Sequence, residues 1–260
     1  MKKDVQTYNY LEEYIDNVRS KGRYAFTLDE LKGKFEVTDK AILQNLYRLK
    51  TKKKIVQIRK GFYTILPAEY SNYGVIPTAM YLDDMMLSLN KKYYLGLISA
   101  AAIHGASHQQ SMETFVITEK PALRDIKNPK LKINFFVKNE WNTEDIKQVK
   151  TDAGYVNVSS PELTALDLLY YVEKLGMNRV VTILKELIEV IKPSQLAKTV
   201  KNYSQLAAVQ RLGYLLEYEL GNEKLSQVIY ATISDKKGTN IPLMPGKNRE
   251  GIINTKWRII

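Results

Sequence analysis

The sequence predicts an α+β protein in two parts. A small helical module closed by a hairpin comes first, and a larger, mostly helical mixed domain with a small sheet follows. Three observations point there. Positive charge is concentrated in the first quarter of the chain. Amphipathic helical periodicity fills that quarter and returns after residue 160. Between the two, a pair of expected helices is followed by short β-rich segments without regular strand–helix alternation. The composition agrees: 260 residues, 45% hydrophobic and 26% charged, are ordinary for a globular chain with room for one or two cores. Cysteine is absent, which excludes disulfides, thiolate zinc sites and cysteine nucleophiles.

The first helix is expected from about Thr7 to Ser20, where Tyr10, Leu11, Tyr14, Ile15 and Val18 recur on one face and Gly22 supplies the stop. Tyr24–Phe26 reads as a short strand. Thr27-Leu28-Asp29-Glu30 has the pattern of a capping box, with Thr27 as N-cap and Glu30 reaching back. The second helix then runs to about Phe35. Thr38 caps a third, Asp39 to Thr51, whose inward stripe is Ile42, Leu46 and Leu49. Ile55–Ile58 and Phe62–Leu66 alternate as strands around Arg59-Lys60-Gly61, where glycine suits the positive-φ turn position.

Three helices followed by a basic-tipped hairpin are the order of a winged helix-turn-helix. Residues 1–67 carry 15 Lys and Arg against 8 Asp and Glu, and the window Lys40–Lys60 holds eight basic residues and no acid. Such a focused charge suits a polyanion. The third helix fits a major groove, so Lys40, Gln44, Tyr47 and Arg48 are candidates for base edges and nearby phosphates. Lys50, Lys52, Lys53 and Lys54 close that helix toward the phosphates, and Arg59 and Lys60 at the wing tip can reach the backbone or the adjacent minor groove. The expected organisation is a DNA-binding domain at 1–67, a linker at 68–77 and a C-terminal domain at 78–260. The bland alternative is a helical module used for protein contacts.

In the second part, helices are expected from Pro77 to Leu89 and from Tyr93 to about Gly105. Strands follow at Thr114–Thr118, Leu131–Val137 and Gly154–Val158. Ser159 or Ser160, followed by Pro161 and Glu162, opens a helix ending at Gly176. Further helices are expected at Asn178–Ile191, Ser194–Tyr203, Ser204–Gly221 and Leu225–Ser234, and then an irregular tail with a final strand. The apolar run Tyr93–Ala106 is too short for a bilayer, and the N-terminus lacks a secretory apolar core, so a cytoplasmic location is expected.

Catalytic patterns are scarce. His104 and His108 lie four apart, but no Glu adjoins His104 and Gly105 interrupts the pair. Phosphate-binding glycine loops and GxSxG do not occur. Asp83-Asp84, or Asp152 with Glu162 or Asp167, make weak metal-site candidates. The tyrosine doublets Tyr93-Tyr94 and Tyr170-Tyr171 fit the edge of a core better than base stacking. No catalytic residue, metal or cofactor is expected.

Three stretches, taken in order after the winged helix, carry a resemblance. They are Tyr93-Tyr94-Leu95-Gly96-Leu97-Ile98-Ser99 through His104-Gly105-Ala106-Ser107-His108-Gln109, then Ser159-Ser160-Pro161-Glu162-Leu163-Thr164-Ala165-Leu166-Asp167, then Val209-Gln210-Arg211-Leu212-Gly213 through Glu217. Together they resemble the AbiEi antitoxins of bacterial phage-resistance toxin–antitoxin pairs, over about residues 7 to 257. The resemblance implies a non-enzymatic type IV antitoxin of abortive infection. It implies a winged helix that binds inverted repeats in its own promoter as an autorepressor. It also implies a C-terminal domain that counters a nucleotidyltransferase-like toxin without a stable complex. On this reading Gly105 and Gly213 serve close packing, Glu162 the helix N-terminus, and Arg211 pairs with Asp167 or Glu217. Two other readings remain open: an interaction protein that holds an acidic partner on its basic face, and a DNA-targeted nuclease that depends on Asp167.

Overall fold

The computed structural model describes residues 10–106, 113–236, 238–247 and 250–260. Two compact units emerge. The first comprises Met1–Tyr93, Pro121–Phe135 and Gln148–Asn157; the second comprises Tyr94–Lys120, Phe136–Lys147 and Val158–Ile260.

The first unit opens with α1 (Tyr10–Ser20), β1 (Ala25–Thr27), α2 (Leu28–Lys34), α3 (Asp39–Thr51), β2 (Ile55–Arg59) and β3 (Phe62–Ile65). The start expected for α1, Thr7 to Asn9, lies outside the described residues. The caps form as the sequence dictates: Thr27 accepts from the Glu30 amide at 3.0 Å, and Thr38 from the Ala41 amide at 3.3 Å. The Glu30 carboxylate, expected to reach back to Thr27, takes the Tyr14 hydroxyl at 2.9 Å and Arg23 at 3.4 Å. The three strands are antiparallel in the order β1-β3-β2, with Ala25 opposite Thr64 and Ile55 opposite Ile65. One core holds them together: Leu11, Ile15, Phe26, Leu31, Ile42, Leu46, Leu49 and Tyr63 are buried in a single cluster.

After a 3-10 turn at Ala68–Tyr70 and another at Thr78–Met80 comes α4 (Leu82–Ser88), shorter than the helix expected from Pro77. Arg23 reaches Asp84 at 3.2 Å. The helix expected at Tyr93–Gly105 is the main correction. Tyr93–Leu95 is a strand, β4, and α5 begins only at Leu97 and ends at Ile103. Leu97 sits at φ +52°, a kink that separates the two elements. All three β4 residues are buried, so their apolar run has no periodicity to distinguish strand from helix.

The remaining strands are β5 (Glu113–Thr118), β6 (Ile126–Asn128), β7 (Leu131–Val137), β8 (Ile146–Thr151) and β9 (Gly154–Ser159). Their sheet has the order β6-β7-β5-β4-β9-β8, with β4 parallel to β9 through Leu95 and Val158. β4, β6 and β8 go beyond the three strands expected from the sequence.

Helices α6 (Pro161–Tyr170), α7 (Val172–Leu175), α8 (Met177–Leu187), α9 (Pro193–Asn202), α10 (Leu206–Tyr214) and α11 (Glu223–Ile233) complete the second unit, with a π-turn at Leu215–Glu219 after α10. Every residue from Glu162 to Leu169 of α6 is buried, so α6 is the centre of this helical layer. The tail forms isolated bridges, Ile241 to Ile259 and Asn254 to Ile259, where a final strand was expected. Among the described residues no helix is long and apolar enough to cross a membrane.

Candidate nucleic-acid interface

The basic and polar residues singled out by the sequence fall on α3, its C-terminal end and the β2–β3 turn. Burying Ile42, Leu46 and Leu49 turns the opposite stripe of α3 outward. Lys40, Gln44 and Tyr47 are exposed there, Tyr47 to 67%, beside exposed Leu43; Arg48 is half-buried. Two hydrogen bonds fix the helix in register. The Asn45 amide donates to the Tyr10 hydroxyl on α1 at 3.1 Å, and Lys50 donates to Gln57 on β2 at 3.1 Å.

Past Thr51 the chain turns through Lys53, whose φ of +55° is left-handed. Lys52, Lys53 and Lys54 are all exposed. At the hairpin tip Gly61 has φ +77°, Lys60 is exposed and Arg59 half-buried.

One member of this surface was invisible to the sequence analysis. Glu12 on α1 meets Lys54 at 2.9 Å and Lys52 at 3.6 Å. The Lys54 hydrogen bond, aided by the charges of both lysines, holds the Glu12 carboxyl below its ordinary range. A window free of acid in sequence is therefore not free of acid in space.

The second unit contains a different polar arrangement. Asp167 is fully buried and accepts three hydrogen bonds: from Tyr94 at 2.6 Å, Lys138 at 2.6 Å and Tyr203 at 2.8 Å. The Lys138 ammonium also lies 4.2 Å from the Tyr203 ring centroid. Burial, then the Asp167 charge, pushes the Tyr94 and Tyr203 hydroxyls well above the ordinary tyrosine range. A cavity of about 400 Å³ lies beside this cluster, lined by Lys138, Trp141, Asp145, Thr199 and Tyr203 among others. Both oxygens of Asp167 are taken by these donors, which leaves it poorly disposed to hold a metal ion.

Other expectations need correction. Arg211 pairs with neither Asp167 nor Glu217: its guanidinium donates to the carbonyls of Pro242 and Leu243. Glu217 accepts from the Trp257 indole at 2.9 Å and from Lys256. Glu162 lies in the first turn of α6 as expected, and its carboxylate accepts the Lys192 amide at 2.9 Å. Gly105 has open space around its missing Cβ and is needed for its φ of +80°, not for close packing. Gly213 does serve close packing. His104 bonds the Ser159 carbonyl at 2.7 Å at the end of α5, and His108 lies outside the described residues. Asp83 and Asp84 are taken by Tyr93 and Arg23. Among the described residues no group of three His, Asp or Glu is placed to hold a metal.

The fold of the chain has a counterpart of known structure. It matches that of the RV2827C protein from Mycobacterium tuberculosis with TM-score 0.65 at 14% identity, over 96% of this chain and 90% of that one. An antigenic nucleotidyltransferase-like protein from Paracoccidioides brasiliensis aligns at TM-score 0.38 and 12% identity, over 59% of this chain and 91% of that one. No curated protein matches significantly. Residues 94–218, from β4 through α5 and α6 to the π-turn, match the model of the AbiEi antitoxin C-terminal domain. Residues 94–218 thus belong to the AbiEi antitoxin C-terminal domain family.

Proposed function

We propose that this chain is an antitoxin and the repressor of its own operon, and that residues 1–67 form a winged helix-turn-helix that binds inverted repeats in the promoter. The observation that carries the reading is the outward stripe of α3. Lys40, Gln44 and Tyr47 stand exposed on one helix, and three exposed lysines follow at its end. α3 would enter the major groove, with Gln44 and Arg48 at base edges and Lys52, Lys53 and Lys54 at phosphates, while Arg59 and Lys60 follow the backbone beside it. On this reading residues 68–77 join that domain to an antitoxin domain at 78–260. The latter counters a nucleotidyltransferase-like toxin as a type IV antitoxin, in the cytoplasm, without enzymatic activity and without a lasting complex. The AbiEi match over 94–218 supports the antitoxin part.

The test is a mobility shift on duplex DNA from upstream of the protein's own gene. With about six phosphate contacts, log affinity falls with log salt at a slope of roughly −5. A flat salt response, or equal affinity for the upstream duplex and a scrambled one, overturns the repressor reading.

A further inference from the structure

The Glu12 carboxylate lies against two lysines of the candidate interface. It takes Lys54 at 2.9 Å and Lys52 at 3.6 Å, two of the three lysines that follow α3. Its place is set by the fold. Leu11 and Ile15 on either side of it are buried in the core, and the neighbouring Tyr10 hydroxyl is held by Asn45 of α3. The lysines keep their outer surfaces in solvent, with side chains 63% and 49% exposed, so a phosphate can reach them. A polyanion that approaches α3 then meets two ammonium groups already neutralised in part by an acid of the same chain.

We infer that Glu12 is a built-in competitor for the DNA backbone, a carboxylate that must release Lys52 and Lys54 before they contact phosphate. The inference rests on the DNA-binding reading above and adds a residue outside the nine named there. Its effect is independent of sequence, because Glu12 acts on the lysines expected at phosphates and not on Gln44 or Arg48. It weakens binding to operator and random duplex alike and flattens the salt dependence. Exposed ion pairs are weak, so the effect is modest.

The experiment compares Glu12→Gln with wild type by fluorescence anisotropy, on the upstream duplex and on a random one, across a salt series. Glu12→Gln is expected to bind both about two- to fivefold more tightly at low salt, the range an exposed ion pair allows. Its log–log salt slope should steepen by roughly one to two. Glu13→Gln removes the same charge from the adjacent, exposed position and is expected to change affinity less. In a Lys52→Ala, Lys54→Ala background the Glu12→Gln gain should vanish, since the partners are gone. A thermal melt of each variant confirms folding. If Glu12→Gln binds more weakly, Glu12 organises the lysines and does not compete for them, and the inference fails. A gain equal to that of Glu13→Gln, or one that persists without the lysines, reduces it to net charge and also overturns it. If wild type binds no duplex at any salt, the DNA reading fails first and takes this inference with it, a result separable from the others.

Discussion

The indole of Trp257 fills the space that a side chain at Gly213 would need. A Cβ built on Gly213 overlaps the ring atoms Cζ3, Cη2 and Cε3 of Trp257. The contact ties the tail to α10. Around it Gln210 donates to the carbonyls of Thr239 and Trp257, and Arg211 donates to those of Pro242 and Leu243. The tail thus satisfies the polar groups of α10 with its own backbone, and its one buried tryptophan sits where α10 has no side chain.

Gly213→Ala is therefore expected to push the tail off α10. Overpacking of a filled core costs about 1–3 kcal/mol, and rigid ring atoms leave little room to relax. Urea unfolding followed by tryptophan fluorescence reads both effects. A Trp141→Phe background isolates the Trp257 signal, because the chain has only two tryptophans. An unchanged midpoint with an unchanged emission maximum would contradict the packing described.

The Asp167 cluster gives a larger expected effect. Asp167→Asn leaves the ammonium of Lys138, only 6% exposed, without its counter-charge. Removing one partner of a buried pair costs about 3–5 kcal/mol. The double variant Asp167→Asn, Lys138→Met removes both charges and should recover much of that loss, which equilibrium unfolding can resolve. Recovery would mark the cluster as a charge pair maintained by mutual need. Loss of the same size in both variants would place the cost in the tyrosine hydrogen bonds instead.

The amphipathic elements were legible in the sequence. α3 and its inward stripe follow from Ile42, Leu46 and Leu49, because a half-buried helix writes its period into the residue types. β4 was not legible, since Tyr93, Tyr94 and Leu95 are buried on every side and show no period. β6 and β8 close the two edges of the six-stranded sheet, and their polar sequences, such as Ile126-Lys127-Asn128, lack the apolar alternation of an interior strand. At the candidate interface the basic residues were visible and their acidic partner was not. Glu12 and Lys54 are far apart in sequence, and nothing about either residue type predicts the pairing. The partners of Arg211 were equally hidden, because a backbone carbonyl carries no side-chain signature.

The proposed interface separates two kinds of substitution. Lys52→Ala, Lys53→Ala and Lys54→Ala together should weaken binding to every duplex and make the salt slope shallower by up to about three, less whatever Glu12 already withholds. Gln44→Ala or Arg48→Ala should instead change sequence preference, at roughly 1–3 kcal/mol per lost base contact. A binding selection from random duplexes distinguishes the outcomes. If the lysine variant shifts the selected sequence and the Gln44 variant does not, the assignment of roles along α3 is reversed.

The Glu12 pair also has a pH signature in the free protein. The hydrogen bond from Lys54, with the charges of Lys54 and Lys52, holds the Glu12 carboxyl below its ordinary value of 4.5. A carboxylate depressed in the folded state contributes stability that is fully present above its unfolded value and disappears as pH falls through the folded one. Wild type should therefore exceed Glu12→Gln in stability at pH 7 by at most about 1 kcal/mol, because both lysines are largely solvated. The difference should close below pH 4.5, when Glu12 takes up its proton and matches the neutral amide. Subtracting the two stability curves cancels the titration of the other carboxylates and isolates this one. Carboxyl NMR of Glu12 supplies the direct check: its midpoint should lie below 4.5 in wild type and rise in Lys54→Ala. A midpoint indifferent to Lys54 would mean that the contact seen between α1 and the end of α3 does not hold in solution, and the competition with phosphate would have no physical basis.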